Sequence, residues 1–520
     1  MALILGLDFG NYYAQLCCIV GMDERTRRGG TCYDLQDPNS PNPNGIPNVF
    51  YYSSSRYNGQ ELFGHQAERA RPVENARRYM KRNLGATTVV DGKEFNYDDI
   101  IVKMVEYDVR LADRQLRAER GESTNLVSLA YPASYHNGRI MRLKELVERA
   151  TLEDGTHLKV IGTIQEPAAA ALDYAAEHPG TGDSLVVWVY DYGGGTFDAS
   201  VVEAYPNGRR IGGKEVYYNV RWTNGLENVG GRECDKVMYN LFCQKAGFTP
   251  KGATADRWMN MAEACKRELS YSNVCEPELM TPDGEYLDIT ITLEEYERAL
   301  RPLIQRTIDL LKKAHADPSI PKPDRIVLTG GASQMPIVRK MLEENFRQYR
   351  DRIVFHRPSK AIAYGAARFG TDEQDTDPTT PTGPVIQRTT HDIGVAYLRG
   401  AEKTRYVYTF IPAGTVIPFT SKEEPSWTVN DDVTRSRFVV YEANCANPVD
   451  TQIDRDYHEI IRVVYDHGRK VPKGKESRTQ LTLDKNNILH ISVTDPDAPN
   501  KPALKNSCEY KNLATKESNV

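Results

Sequence analysis

The chain has 520 residues, 40% hydrophobic and 26% charged, enough for several folded domains with sizeable cores. Its 66 Lys and Arg against 71 Asp and Glu leave a net charge of −5 and no long basic cluster, which argues against nucleic acid as the main partner. Nine cysteines without a CxxC pair, and ten histidines without ligand-like spacing, argue against a zinc site or a disulfide framework and point to a reducing, cytoplasmic setting.

The opening "MALILGLDFG" has no basic segment and is interrupted by Asp8, so no signal peptide is expected. "ALILGLDFG" and "AQLCCIVG" read as two strands around a turn. "NLVSLAYPASY" reads as a strand ending at Pro132, and "MRLKELVERATLE" has helical periodicity. The apolar run Leu185–Tyr190 is a strand far too short to span a bilayer, so no membrane contact is expected. "EYERALRPLIQRTIDLLKKA" and "PIVRKMLEENFRQY" are helical, and "RIVLTGG" is a buried strand meeting a glycine pair. This alternation predicts an α/β architecture up to about residue 370. Thr371–Thr390 is rich in Thr, Asp and Pro and reads as a linker. Beyond it, "DIGVAYL", "TRYVYTFI", "SRFVVYEAN", "EIIRVVYDH", "RTQLTLD" and "ILHISVTD" read as short strands, with "DKNNIL" as a tight turn. Six in succession predict an antiparallel β-sandwich. The chain then ends in the polar stretch "LATKESNV".

Two of these turns share a pattern. Asp8-Phe9-Gly10 and Asp191-Tyr192-Gly193 each place an acid at the end of an apolar strand and a glycine at the turn. Glycines lack Cβ, so backbone N–H groups can approach an oxyanion. Two acids at two strand ends can hold a hydrated Mg²⁺ that bridges phosphates. A single such turn is usually an ordinary hairpin; its repetition, with Gly193, Gly194, Gly195 and Thr196 in succession, favours phosphate. The P-loop pattern is absent. "VLTGGASQMP" is a third glycine turn, between strand and helix, and by itself a plain connector. In "MAEACKRELSYS", Glu263, Lys266, Arg267 and Ser270 share one helix face, which alone reads as a solvated surface.

Six motifs carry a resemblance: "GLDFG", "QEPAAAALDYA", "VYDYGGGTFDAS", "VGGRECD", "EACKRELS" and "VLTGGASQMPIVRKML", with "AIAYGAA" at Ala361–Ala367. In content and order they resemble the seventy-kilodalton heat-shock (Hsp70, DnaK-like) chaperone family over residues 1–370 and, more weakly, over 391–500. The resemblance implies an actin-like (ribonuclease H-like) two-lobed ATPase domain over 1–370. A linker over 371–390, a peptide-binding β-sandwich over 391–512 and a tail over 513–520 would follow. It implies ATP or ADP with Mg²⁺, and K⁺ as a companion ion. Asp8 and Asp191 would organise the Mg²⁺ waters, while Gly10, Asn11, Tyr12, Gly193, Gly194, Gly195 and Thr196 would line the phosphates. Lys81, in "YMKRNLG", matches the family's catalytic lysine, and Glu166 would place the attacking water. A cation beside the terminal phosphate offsets developing charge. Glu263, Lys266, Arg267 and Ser270 match the adenosine pocket, closed by Gly330 and Gly331; Gly230 and Gly231 match a glycine pair at the cleft. Pro132 matches a proline that relays nucleotide state. The family's companion arginine lies a few residues on; Arg139 stands one position off, and its assignment stays open. Implied partners are unfolded or extended peptides, a J-domain cochaperone and a nucleotide exchange factor.

The sequence departs from the family at defined places. The first phosphate loop usually reads Gly-Thr-Thr; here Asn11 and Tyr12 follow Gly10. Ala332 and Gln334 stand where a serine and an arginine are usual. The linker keeps only Val385 and Ile386 of an aliphatic run, which makes a Pro/Thr-rich tether a poor coupling device. Against the resemblance, the family's helical lid is expected to be missing after the strands. Chaperone ATPase is the leading reading, ahead of a nucleotide-gated scaffold with little turnover. A small-molecule kinase of the same superfold ranks last, because nothing after Gly225 announces an acceptor site.

Overall fold

Runs such as Leu185–Tyr192, in which every side chain is enclosed, can only be central strands. The computed structural model describes residues 3–22, 29–36, 44–211, 213–373, 385–399, 404–443, 457–498 and 504–507. Strands β1 (Leu5–Phe9), β2 (Tyr13–Met22) and β3 (Gly29–Leu35) form an antiparallel meander. Strands β4 (Leu126–Tyr131) and β5 (Lys159–Gln165) join β1 in parallel, so the order is β5-β4-β1-β2-β3. A second sheet repeats this plan. Strands β6 (Leu185–Tyr192), β7 (Thr196–Ile211) and β8 (Lys214–Glu227) form the meander; β9 (Arg325–Thr329) and β10 (Ile353–Phe355) add in parallel, giving β10-β9-β6-β7-β8. The doubled Asp-x-Gly turn is thus the first hairpin of each sheet.

Helices α1 (Tyr97–Arg120) and α2 (Asn137–Arg149) pack on the first sheet through Ile101, Val105, Leu143 and Leu146. The Asn96 side chain caps α1, and Gly121 ends it in the left-handed conformation. Helix α3 (Glu166–Glu177) shares a core with strands of both sheets, among them Ala130, Ile164, Val187 and Val327. Helices α4 (Gly231–Ala246), α5 (Ala253–Glu268), α6 (Leu293–Ala316) and α7 (Pro336–Asn345) cover the opposite face of the second sheet, where Trp188, Tyr190 and Tyr192 point. Helix α8 (Ala361–Glu373) packs against α3, and a Cβ at Gly365 would run into the Ala169 carbonyl.

After residue 384 the chain is all β among the described residues. Strand β11 (Val385–Arg388) pairs with β8 in parallel, Tyr218 opposite Val385 and Asn219 opposite Ile386. Strands β12 (Ile393–Arg399), β13 (Thr404–Ile411), β14 (Val433–Ala443) and β15 (Tyr457–Val471) form a sheet in the order β13-β12-β14-β15. Strands β16 (Glu476–Leu483), β17 (Leu489–Thr494) and β18 (Leu504–Ser507) form another, with Phe419–Thr420 and Glu424–Trp427 also on β16. Ile393, Val440, Ile461, Leu481 and Ile491 share one core between the two. The turn expected at "DKNNIL" is present: Asp484 N–H donates to the Ile488 carbonyl, and Asn487 takes φ 58°.

Two expectations change. The stretch read as a Pro/Thr-rich tether contains a docked strand, β11, because its two aliphatic residues pair with the open edge of β8. Thr371 belongs to α8; residues 374–384 and the tail "LATKESNV" lie outside the described residues. Two cysteines are also paired, Cys265 with Cys275, with Cα atoms 5.9 Å apart. Their separation of ten residues carries no sequence signal; the chain reversal after α5 brings them together. No helix among the described residues is long and apolar enough to cross a membrane.

Candidate functional site

Strand ends bring most of the expected residues to one place. Lys81 lies in a short 3-10 turn, Met80–Asn83, and is 1% exposed; its Nζ sits 2.7 Å from Glu166 Oε1, at the first residue of α3. Arg139 and Tyr135 donate to the Lys81 carbonyl at 3.0 and 3.1 Å. A buried ammonium needs such partners. The Glu166 and Asp8 carboxylates hold the Lys81 pKa above its ordinary value against the effect of burial. Asp8 is pushed up to about 7 by burial and by Glu166, with Lys81 opposing. Asp191 is raised well above the usual carboxylate range by burial, Glu166, Asp198 and Asp8.

Asp198 lies within "GGGTFDAS" but outside the Asp-x-Gly pattern. It faces Asp191 across the β6–β7 hairpin and is pushed up to about 7 by burial and Glu166. The Ser134 amide donates to its Oδ1 at 2.9 Å, which ties it to the turn after Pro132. Asp191 Oδ1 and Asp198 Oδ2 are buried without a hydrogen-bond partner. Acids gathered around one lysine, with two orphaned oxygens, fit a hydrated divalent cation.

The glycine turn joins this cluster to α4. The amides of Gly231 and Arg232 donate to the carbonyls of Gly193 and Gly194, both at 3.0 Å, and Gly230 packs directly on the Gly195 backbone. Gly330, at φ 81°, leaves room for the Asp191 carboxylate and the Tyr192 carbonyl; Gly331 faces open space. Thr196 lies half-buried at the start of β7, within hydrogen-bonding reach of Asp198. Gly10 donates to the Tyr13 carbonyl at 3.0 Å and closes the first hairpin.

The Gly194–Gly195 face is covered by the protein itself. The Tyr12 ring lies on Gly194, and Asn11 Nδ2 and Arg82 lie on Gly195, so a Cβ at either glycine would collide with them. Tyr12 Oη donates to Asp235 Oδ2 at 2.8 Å and accepts from Tyr79 Oη at 2.6 Å. Arg82 spans to Glu233 with two bonds of 2.9 Å and also donates to the Gly195 carbonyl. Tyr79, Arg82 and Asp235 had no readable signal in the sequence, because their partners are 67 to 223 residues away.

The face expected to hold adenosine is engaged differently. Lys266 Nζ is 2.6 Å from Asp235 Oδ1 and 3.3 Å from the Gly231 carbonyl. Arg267 pairs with Glu263 at 2.6 Å, and Ser270 Oγ donates to the Lys266 carbonyl at 3.4 Å. Lys266 therefore adjoins the glycine pair, whereas Glu263 and Arg267 form their own pair on the exposed side of α5. Pro132 is buried and its carbonyl accepts from the Tyr135 amide, in the turn from which Ser134 reaches Asp198 and Tyr135 reaches the Lys81 carbonyl.

A family model described as Hsp70 protein matches residues 118–504.

Proposed function

The chain belongs to the Hsp70 family, and from that premise we propose that it is an ATP-dependent chaperone. In this reading residues 1–370 form an actin-like, two-lobed ATPase, 371–390 connect, and 391–512 form a β-sandwich that holds extended peptide. The observation that carries it is the convergence of Asp8, Asp191, Asp198, Glu166 and Lys81 beside a glycine turn.

Asp8 and Asp191 would hold the waters of Mg²⁺, which when bound would neutralise phosphate charge. Asp198 completes the acidic wall. Lys81, kept charged and aimed by Glu166, stabilises the charge that develops on the terminal phosphate. Glu166 orients the attacking water, and the backbone amides of the glycine turn contact phosphate oxygens. In this reading Lys266, paired with Asp235, and Arg267, paired with Glu263, border the nucleoside. Peptide adds at β12 and β13, where Tyr397, Leu398 and Tyr408 are exposed, by strand-like contacts. A J-domain cochaperone and an exchange factor complete the cycle.

The experiment is ATP turnover measured beside labelled-peptide binding in ATP and in ADP. Mg²⁺-dependent turnover and a peptide affinity that differs between the nucleotides are expected. ATP binding without turnover, even with cochaperones, would favour a nucleotide-gated scaffold instead, a reading supported by the Tyr12 ring on Gly194.

A further inference from the structure

We propose that Tyr12 is a specificity residue that sets the site's preference between phosphorylated and unphosphorylated nucleoside, by occupying the glycine face until a phosphate displaces it. The proposal rests on the nucleotide reading above. Its grounds are the contacts of one side chain. The ring covers Gly194, where a Cβ would fall within it. The hydroxyl is held by a carboxylate, Asp235, and by a second tyrosine, Tyr79, whose ring meets that of Tyr12 edge-on at 5.0 Å. Tyr79 is itself fixed at φ 60°, with the Arg232 guanidinium 4.5 Å from its ring centre.

These groups come from both sides of the turn. Tyr12, Tyr79 and Arg82 belong to the β1–β2 hairpin and the segment that carries Lys81; Arg232, Glu233 and Asp235 lie in the first two turns of α4. The Tyr12 and Arg82 contacts close over Gly194 and Gly195 together.

The chemistry follows. A nucleoside leaves the glycine face untouched. Each phosphate that takes up the amides there must move the Tyr12 ring and break its bond to a charged carboxylate, a loss of about tenfold or more in affinity. The cost therefore falls on ADP and ATP and spares adenosine. A small side chain at this position would remove it.

The test is calorimetric binding of adenosine, ADP and ATP, each with Mg²⁺, to the full chain and to Tyr12→Thr and Tyr12→Phe. Tyr12→Thr is expected to tighten ATP and ADP by on the order of tenfold and to leave adenosine within about twofold. Tyr12→Phe keeps the ring, loses the bond to Asp235, and is expected to fall between. It decides the matter if Tyr12→Thr does not fold. Equal ATP affinity in all three proteins overturns the proposal and leaves the nucleotide reading standing. An equal gain for adenosine also overturns it, because the effect would not depend on phosphate. No binding of any adenine compound by any of the three overturns both.

Discussion

A lysine with 1% of its surface exposed is tolerated only because Glu166 stands 2.7 Å away. Removing one partner strands the other in a medium of low polarity. Lys81→Met is therefore expected to destabilise the protein by about 3–5 kcal/mol, and Lys81→Met with Glu166→Gln to recover much of that loss. Urea unfolding of the two variants measures it. ATP turnover in Lys81→Met is expected to fall by about 100-fold or more; near-normal turnover would remove Lys81 from the mechanism. At this scale the repeated Asp-x-Gly made Asp8 and Asp191 legible, since local pattern and chemistry coincide there. Asp198 sat in the same stretch, but one acid on a strand looks like any other until its burial is known. Tyr79, Arg82 and Asp235 gain their roles only from contacts made across the fold.

Helices α3 and α8 meet through alanine and glycine. Ala168, Ala169, Ala170 and Ala171 are all fully enclosed, and Gly365 lies against the Ala169 carbonyl. Gly6 in β1 likewise lies against the Ala363 carbonyl. There is no room for one more methyl group. Gly365→Ala is expected to cost about 1–3 kcal/mol, or to force the helices apart, by overpacking. Thermal unfolding checks it: an unchanged midpoint would mean that α8 can shift freely. The small residues of "QEPAAAALDYA" and "AIAYGAA" were legible as motifs, yet their mutual packing was not. Periodicity located the helices and most strands. It could not find β11, because four residues within a polar, proline-rich stretch carry no period of their own. Their strand character comes from the unfilled edge of β8.

The all-β part touches the rest of the chain through Val385, which packs in the core beneath α3, and through polar contacts. The Asn137 amide donates to Glu442 Oε2 at 2.6 Å, Gln165 Nε2 donates to the Arg388 carbonyl at 3.1 Å, and Thr163 Oγ1 donates to the Asn486 carbonyl at 2.5 Å. His136, at the N-terminus of α2, lies 5.2 Å from His458 of β15, ring to ring. Burial, then Arg139, His458 and His391, hold His136 well below 6.5; burial also lowers His458, with Glu227 and Glu442 opposing. His136 also accepts the Arg139 amide, a bond its protonated ring cannot make at that nitrogen. Separation exposes both rings and relieves the burial that lowers them, so both move back toward the ordinary histidine range near 6.5. The separated form therefore binds more protons. The docked arrangement is fully favoured above about pH 6.5 and weakens below it, by up to about 1.4 kcal/mol per pH unit for each proton. Fluorescence transfer between labels on α1 and β16 is expected to fall between pH 7.5 and 5.5, and His136→Gln to flatten that fall. A pH-independent signal in the unaltered protein would rule the histidines out.

Strand β11 also acts as a cover. With Val385 and Ile386 in place, and Arg388 Nε donating to the Val220 carbonyl at 2.7 Å, the outer edge of β8 is closed over residues 218–220. Withdrawal of β11 would open a row of amides and carbonyls beside the buried Val220, the kind of edge on which a second chain adds its own strand. Release of the all-β part is thus coupled to stickiness. Light scattering that rises with protein concentration at pH 5.5, and less so at pH 7.5, is the expected mark of that coupling.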